Sequence, residues 1–364
     1  LEPREFFIED RLETYRNRST ANLGESGYHA FSLGEVLSMA GISQEEWMQI
    51  PMYDSPNQGS WELRKEIAKL YPGTAPENVL VTTGTSEALY LAFHLLIQKG
   101  DAVAYYHPAF QALYEIPKML GARLLPISTS PEGIQSEDWE TIQADLYVIN
   151  HPHNPTGFEF AKADRPKLVQ QLKTKNKPVL FDEHYRFLDR YDPDGWTGVS
   201  INDRFFGTGS FTKCFGVTGL RIGWLVADES FVKRARSFKD YLTHTVSPIA
   251  ERIALGLLER RDAFLPKIRS EVFGNVTYLE KHWRELPGID SYSDLQGGLV
   301  TWLRLKPGIL SEEYADLLWK RTGVFVLPGK NFEREGFIRL GFGERQSLFQ
   351  KGVDQWIQSS IYLS

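Results

Sequence analysis

From residue 79 the chain alternates short runs of β-branched, aliphatic and aromatic residues with longer stretches of helical spacing. V-L-V-T-T (79–83) leads into S-E-A-L-Y-L-A-F-H-L-L-I-Q, and A-V-A-Y-Y (102–106) into F-Q-A-L-Y-E-I-P-K-M-L. A-R-L-L-P-I, L-Y-V-I-N, P-V-L-F-D, F-F-G-T-G-S-F and I-G-W-L-V-A read as further strands. Strands alternating with helices predict an α/β fold with a largely parallel sheet covered on both faces. Ligands of such sheets sit beyond the carboxyl ends of the strands. Residues from about 229 to 285 read as helical. After Gly297-Gly298 the pattern restarts as V-T-W-L-R-L, a helix from Ser311 to about Arg321, V-F-V-L-P-G, F-I-R-L-G-F-G and a last helix, which predicts a small α+β unit. The N-terminal segment is expected to pack back onto that unit.

Composition narrows the class. The 364 residues, 42% hydrophobic and 24% charged, are enough for one large domain plus a smaller one. With 41 Lys and Arg against 47 Asp and Glu, the net charge of -6 argues against a nucleic acid or an anionic membrane as partner and toward small molecules. The single cysteine, Cys214, excludes an internal disulfide and a zinc site built on Cys-x-x-Cys pairs. The charged opening L-E-P-R-E-F-F-I-E-D-R-L-E lacks the apolar core of a signal peptide, and apolar runs are only a few residues long, so a cytoplasmic location is expected. Three local patterns carry little. Gly329-Lys330-Asn331 lacks P-loop spacing, and His151-x-His153 has no third metal ligand in view. Asp182 and Glu183, as strand neighbours, point to opposite faces. No metal is expected.

Four stretches carry chemistry. T-T-G-T-S-E-A-L (82–89) joins a strand end to a helix start, where free N–H groups, the helix dipole and the hydroxyls of Thr85 and Ser86 suit a phosphate; an ordinary helix cap is the plainer alternative. N-H-P-H-N-P-T-G (150–157) is a turn that holds the Asn154 amide at a strand end. V-L-F-D-E-H-Y-R-F puts Asp182 at the end of an apolar strand, with Tyr185 three residues on; a carboxylate there is costly unless it meets a buried cationic N–H. S-F-T-K-C-F-G-V-T-G-L-R-I-G (210–223) supplies Ser210, Lys213 and Arg221. With a phosphate in the first loop, Arg221 and Ser210 bind it while Lys213 reaches an aldehyde and forms an imine.

Taken in order, these motifs resemble the fold-type-I pyridoxal-phosphate enzymes of the class I/II aminotransferase family, over roughly residues 50 to 345. The resemblance implies a mostly parallel seven-stranded sheet between helices in a large coenzyme-binding domain (46–285), a small α+β domain (286–364), and an N-terminal segment (1–45) against the small domain and the active site. It also implies pyridoxal 5'-phosphate as cofactor and a homodimer. Tyr53, in Y-D-S-P-N-Q-G-S-W-E-L-R, becomes the phosphate contact given to the other subunit. Thr85, Ser86, Ser210 and Arg221 become the phosphate site, and Phe110 in H-P-A-F the residue stacked on the coenzyme ring. Asn154 and Tyr185 meet the ring oxygen, Asp182 the pyridine nitrogen, and Lys213 the coenzyme aldehyde. Arg339, in F-I-R-L-G-F-G, becomes the anchor of the substrate α-carboxylate, with Asn154 counted among the substrate-binding residues as well.

The N-terminal segment departs from the family's usual pattern. N-L-G-E-S-G-Y-H-A-F-S-L (22–33) stands where an extended N-x-x-x-N-E-N-type loop is common, and with F-I-E-D-R-L-E-T-Y it is similar to members that form cyclic arginines of the capreomycidine or enduracididine type. That similarity implies a hydroxylated L-arginine as substrate, elimination of its hydroxyl, and addition of the guanidine nitrogen within the molecule. Glu9, Asp10 and Glu25 are the candidate guanidinium partners, since carboxylates receive guanidinium bidentately. His29 is the candidate proton donor to the departing hydroxyl. For each of these four a solvated helix or loop residue is an equal alternative. An ordinary aminotransferase working against a 2-keto acid stays open. A ligand-sensing module of the kind that follows a DNA-binding helix-turn-helix is disfavoured, because the short acidic segment ahead of the fold leaves no room for one.

Overall fold

The computed structural model describes residues 3–128, 138–190, 192 and 195–362. Seven strands form one sheet: β1 (Val79–Thr82), β2 (Ala102–His107), β3 (Arg123–Ser128), β4 (Leu146–Asn150), β5 (Val179–Asp182), β6 (Phe205–Gly209) and β7 (Gly223–Val226). Their order is β1-β7-β6-β5-β4-β2-β3, and β7 alone runs antiparallel to its neighbours. The central strands are buried along their whole length, as expected of a sheet covered on both faces. Pro126 lies on β3, at the sheet edge, where a missing N–H costs no ladder bond.

A second, four-stranded antiparallel sheet contains β8 (Ile289–Tyr292), β9 (Val300–Leu305), β10 (Leu327–Pro328) and β11 (Phe337–Gly341), in the order β10-β11-β9-β8. The helical stretch after β7 is broken into Glu229–Lys239, Pro248–Glu259 and Arg261–His282. Pro248 opens the second of these, where its missing N–H is harmless.

V-F-V-L-P-G is split by a partner that local pattern does not reveal. Val324–Phe325 pairs in parallel with Ala21–Asn22, whereas Leu327–Pro328 joins β11. The N-terminal chain then continues along the small sheet, with Leu23 N donating to Phe325 O at 2.9 Å and Gly341 N to Leu23 O at 2.8 Å. Helix α1 (Phe7–Tyr15) buries Ile8 and Leu12 against Trp302, Phe325, Leu327 and Phe332. This route delivers residues 24–29 to the carboxyl end of the large sheet. Among the described residues no helix is long and apolar enough to cross a membrane.

Candidate active site

The carboxyl ends of β4, β5 and β6 bring Asn150, Asp182 and Thr208 side by side, because their register pairs Asn150 with Asp182 and Asp182 with Thr208. Asp182 is 1% exposed. It accepts hydrogen bonds from Asn150 Nδ2 (3.1 Å) and Thr208 Oγ1 (3.2 Å), and His184 Nδ1 lies 3.2 Å away. Burial lowers the pKa of His184, and its Nε2 has no hydrogen-bond partner among the described residues. Among the described residues no lysine or arginine pairs with Asp182. A buried carboxylate so placed is costly until it meets a cationic N–H, a demand that a protonated pyridine nitrogen has the chemistry to meet.

The phosphate end is built where helix α2 (Thr85–Leu96) begins. Gly84 precedes it at φ 80°, and a β-carbon there would stand 2.5 Å from Arg221 Nη2, so the guanidinium lies directly over the helix start. Gly223 permits the crossing from the other side: its β-carbon would meet Thr85 N at 2.5 Å. Free N–H groups, the helix dipole and Arg221 together suit a phosphate. Thr85 Oγ1 donates to Gly209 O at 3.3 Å, and Ser86 is exposed at the same end. Ser210 is buried, with Oγ bonded to Ile222 O (2.7 Å) and Thr212 Oγ1 (2.8 Å), which ties the lysine loop to the start of β7. Tyr53 is 65% exposed.

Lys213 lies between two aromatic rings, Nζ being 5.6 Å from the Phe110 centroid and 5.7 Å from that of Tyr185. Its amine donates to Ser26 Oγ at 3.1 Å, and no carboxylate reaches it at ion-pair distance among the described residues. Burial, then the positive charge of Arg339, lower its pKa, which favours the neutral amine that nucleophilic and base chemistry needs. Tyr185 donates to Ser26 O at 2.7 Å, and burial pushes its hydroxyl pKa up. Phe110 is also packed on Phe6, ring centroids 5.4 Å apart.

Arg339 is 1% exposed on β11. Its Nη1 donates to Asn154 Oδ1 at 3.1 Å and its Nη2 to Gly24 O at 2.7 Å, while Nε has no partner among the described residues. The Asn154 backbone is in turn fixed by its N–H on Asn150 Oδ1 at 2.7 Å. A guanidinium buried without a carboxylate is a prepared seat for an anion; its desolvation lowers the pKa, and Glu25 and Glu9 raise it.

The N-terminal candidates divide. Glu25 lies between Gly24, which holds Arg339, and Ser26, which holds Lys213 and Tyr185. Glu9 and Glu25 both act electrostatically on Lys213 and Arg339. The two already share a guanidinium, that of Arg16, at 3.8 and 3.0 Å, and Glu13 joins them at 3.2 Å. Asp10 is exposed on α1, where its backbone oxygen accepts from Thr14 Oγ1. His29 is directed elsewhere: its Nε2 is 3.5 Å from Glu271 Oε2, and it lines a cavity of about 700 Å³ with Tyr28, Phe31, Phe264 and Arg345. His151 and His153 are buried, their pKa values lowered chiefly by desolvation, and no cluster of metal-binding side chains occurs among the described residues.

Sequence reasoning missed Asn150, Thr208, His184 and Ser26. The first three were findable, as polar residues at or just past the ends of apolar strands. Ser26 had no local signal.

The model of the class I and II aminotransferases matches residues 53–353, and the chain belongs to that family: it is a pyridoxal-phosphate-dependent enzyme of fold type I. Among its relatives is capreomycidine synthase of Streptomyces vinaceus, 29% identical and aligned over 95% of this chain and 91% of that one. Aspartate aminotransferase of Sulfolobus acidocaldarius is 28% identical over 81% and 79% of the two chains. Solved structures with the same fold include a pyridoxal-phosphate-dependent aminotransferase from Streptococcus suis, with a TM-score of 0.90 and 24% identity over 99% and 98% of the two chains. The pyridoxal-phosphate-dependent cyclase OrfR has a TM-score of 0.87 and 23% identity over 98% and 97%.

Proposed function

We propose that this enzyme cyclises a hydroxylated L-arginine, eliminating the hydroxyl as water and closing a ring through the guanidine nitrogen. The observation that carries the reading is the placement of Glu9 and Glu25. They flank the groups expected to hold an amino acid, they act electrostatically on Lys213 and Arg339, and they already hold a guanidinium in the form of Arg16. A substrate guanidinium entering here would compete with Arg16 for carboxylates able to accept its N–H groups. The relationship to capreomycidine synthase along nearly the whole chain supports the same substrate class.

The roles divide among the protein's own groups. Thr85, Ser86, Ser210 and Arg221 hold the phosphate, joined by Tyr53 of a second subunit in a homodimer. Phe110 covers the ring, Asp182 keeps the pyridine nitrogen protonated, and Asn154 and Tyr185 bind the ring oxygen. When bound, the coenzyme supplies an electron sink for the pair left at Cα. Arg339 holds the α-carboxylate, so that Cα faces Lys213, whose amine takes its proton. The hydroxyl departs as water, and the guanidine nitrogen, held near Glu25 and Glu9, adds to the carbon it leaves.

Transamination against a 2-keto acid is the second reading, favoured by the aspartate aminotransferase relatives. The two are separated by mass spectrometry of products from hydroxylated and plain arginines, with and without a keto acid. Cyclisation predicts repeated turnover to a product lighter by one water without any acceptor. Turnover that stops after one equivalent and resumes with a keto acid would falsify it.

A further inference from the structure

Two residues of the N-terminal segment, Gly24 and Ser26, engage three groups at the centre of the site. Gly24 O accepts from Arg339, Ser26 O from Tyr185, and Ser26 Oγ from Lys213. Ser26 is 7% exposed, and it is held in place by its own N–H on Glu25 Oε1 at 3.2 Å. The neighbouring backbone is fixed as well: Tyr28 N donates to Lys213 O at 2.8 Å, and a β-carbon on Gly27 would lie 3.8 Å from the same oxygen. The segment is therefore laid along the lysine loop, with one hydroxyl aimed at the amine. Among the described residues Lys213 Nζ is the hydrogen-bond partner of that hydroxyl, which acts as acceptor and so keeps its own proton available to donate. His29, the proton donor expected from sequence, faces Glu271 instead.

We propose that Ser26 both positions Lys213 and acts as a catalytic acid: it holds the freed amine on the Arg339 side of the site and passes its proton to the departing hydroxyl. The relay rests on the elimination reading; the hold on the amine does not. The step balances within the protein and the substrate. Lys213 takes the Cα proton and becomes an ammonium. As the substrate C–O bond breaks with its electron pair, the oxygen takes the Ser26 hydroxyl proton and leaves as water. Ser26 Oγ recovers a proton from the Lys213 ammonium, which returns to the neutral amine. No oxidant, reductant or second substrate is required.

The test compares Ser26→Ala and Ser26→Thr with the unaltered enzyme, each first checked for coenzyme content by its visible absorption. One readout is independent of turnover. In the full chain stripped of coenzyme, Lys213 is labelled with an amine-reactive reagent across pH and quantified by peptide mapping. A hydroxyl that accepts from the ammonium stabilises the charged form, so Ser26→Ala should shift the Lys213 labelling profile to lower pH and Ser26→Thr should restore it. The second readout is kinetic: Ser26→Ala should lower kcat at least about tenfold with KM changed less than about threefold, as expected for an interaction used after substrate binding. Unchanged labelling together with unchanged kcat overturns the proposal. A shifted profile with unchanged kcat overturns the relay. A shifted profile in a protein whose parent releases no water from any hydroxylated arginine rejects the cyclase reading and leaves the hold of Ser26 on Lys213 standing.

Discussion

Arg339 shows how a buried charge is made useful by leaving it incompletely satisfied. Two of its nitrogens donate to neutral oxygens, Asn154 Oδ1 and Gly24 O, and none meets a carboxylate among the described residues. Lysine at this position would keep the charge but lose the planar fork that matches a carboxylate. Arg339→Lys should therefore raise KM for the amino acid roughly 10- to 100-fold, the scale of one charge-assisted hydrogen bond. The absorption of bound coenzyme should stay as it is, since Arg339 does not contribute to the phosphate or ring-nitrogen sites. Steady-state kinetics and a visible spectrum check both halves. The same logic of incomplete satisfaction applies to Asp182, whose partners are an amide, a hydroxyl and an imidazole.

At the level of elements, the turn after β4 must be tied to the strand entering the small sheet, and the tie is a buried cluster. Glu159 N donates to Gln296 Oε1 at 3.2 Å, and Arg165 Nη2 stands 3.4 Å from Glu159 and 2.9 Å from Asp189. One arginine nitrogen facing two buried acids leaves Glu159 short of compensation. Burial, followed by the charge of Asp189, pushes its pKa up to about 9. The folded state therefore binds this proton more tightly than the unfolded chain. Its contribution to stability is complete below the ordinary carboxylate range and is lost as pH rises through about 9. Glu159→Gln, which mimics the protonated acid, should flatten the fall in stability across that interval while leaving stability at the acid end nearly unchanged. Denaturant melts at a series of pH values measure it, and an unaltered slope would sink the assignment.

For the whole molecule, several of the exposed apolar side chains lie on two chain stretches that approach each other. Met48, Met52, Tyr53 and Trp61 on one stretch and Tyr241 and Leu242 on another are exposed, and the two stretches meet where Asn57 Nδ2 reaches Asp240 Oδ1 at 3.1 Å. Tyr53 is 65% exposed, as fits a side chain given to a partner. If sites are composite, mixing inactive Tyr53→Ala with inactive Lys213→Ala should restore activity. Each mixed dimer then has one site with both residues intact. No recovery after subunit exchange, verified by ultracentrifugation of the mixture, would place Tyr53 outside the partner's site.

Much of this enzyme is legible in one sequence because its information is local. Seven strands announce themselves as short apolar runs, and the chemistry stands at their ends: Thr85 and Ser86 after β1, Asp182 at the end of β5, Lys213 just past β6. Strand alternation sufficed for the α/β class, and the resemblance carried by a few spaced motifs for the coenzyme and the particular fold type. What only the tertiary structure decided concerns contacts between residues far apart in the chain. Ser26 meets Lys213 across 187 positions, Gly24 meets Arg339 across 315, and Ala21 pairs with Val324. His29 is turned to Glu271 by the same packing. Such pairings depend on how the N-terminal chain lies along the small sheet, and no local periodicity encodes them, since each is set by burial and hydrogen bonding against a partner that local pattern does not include.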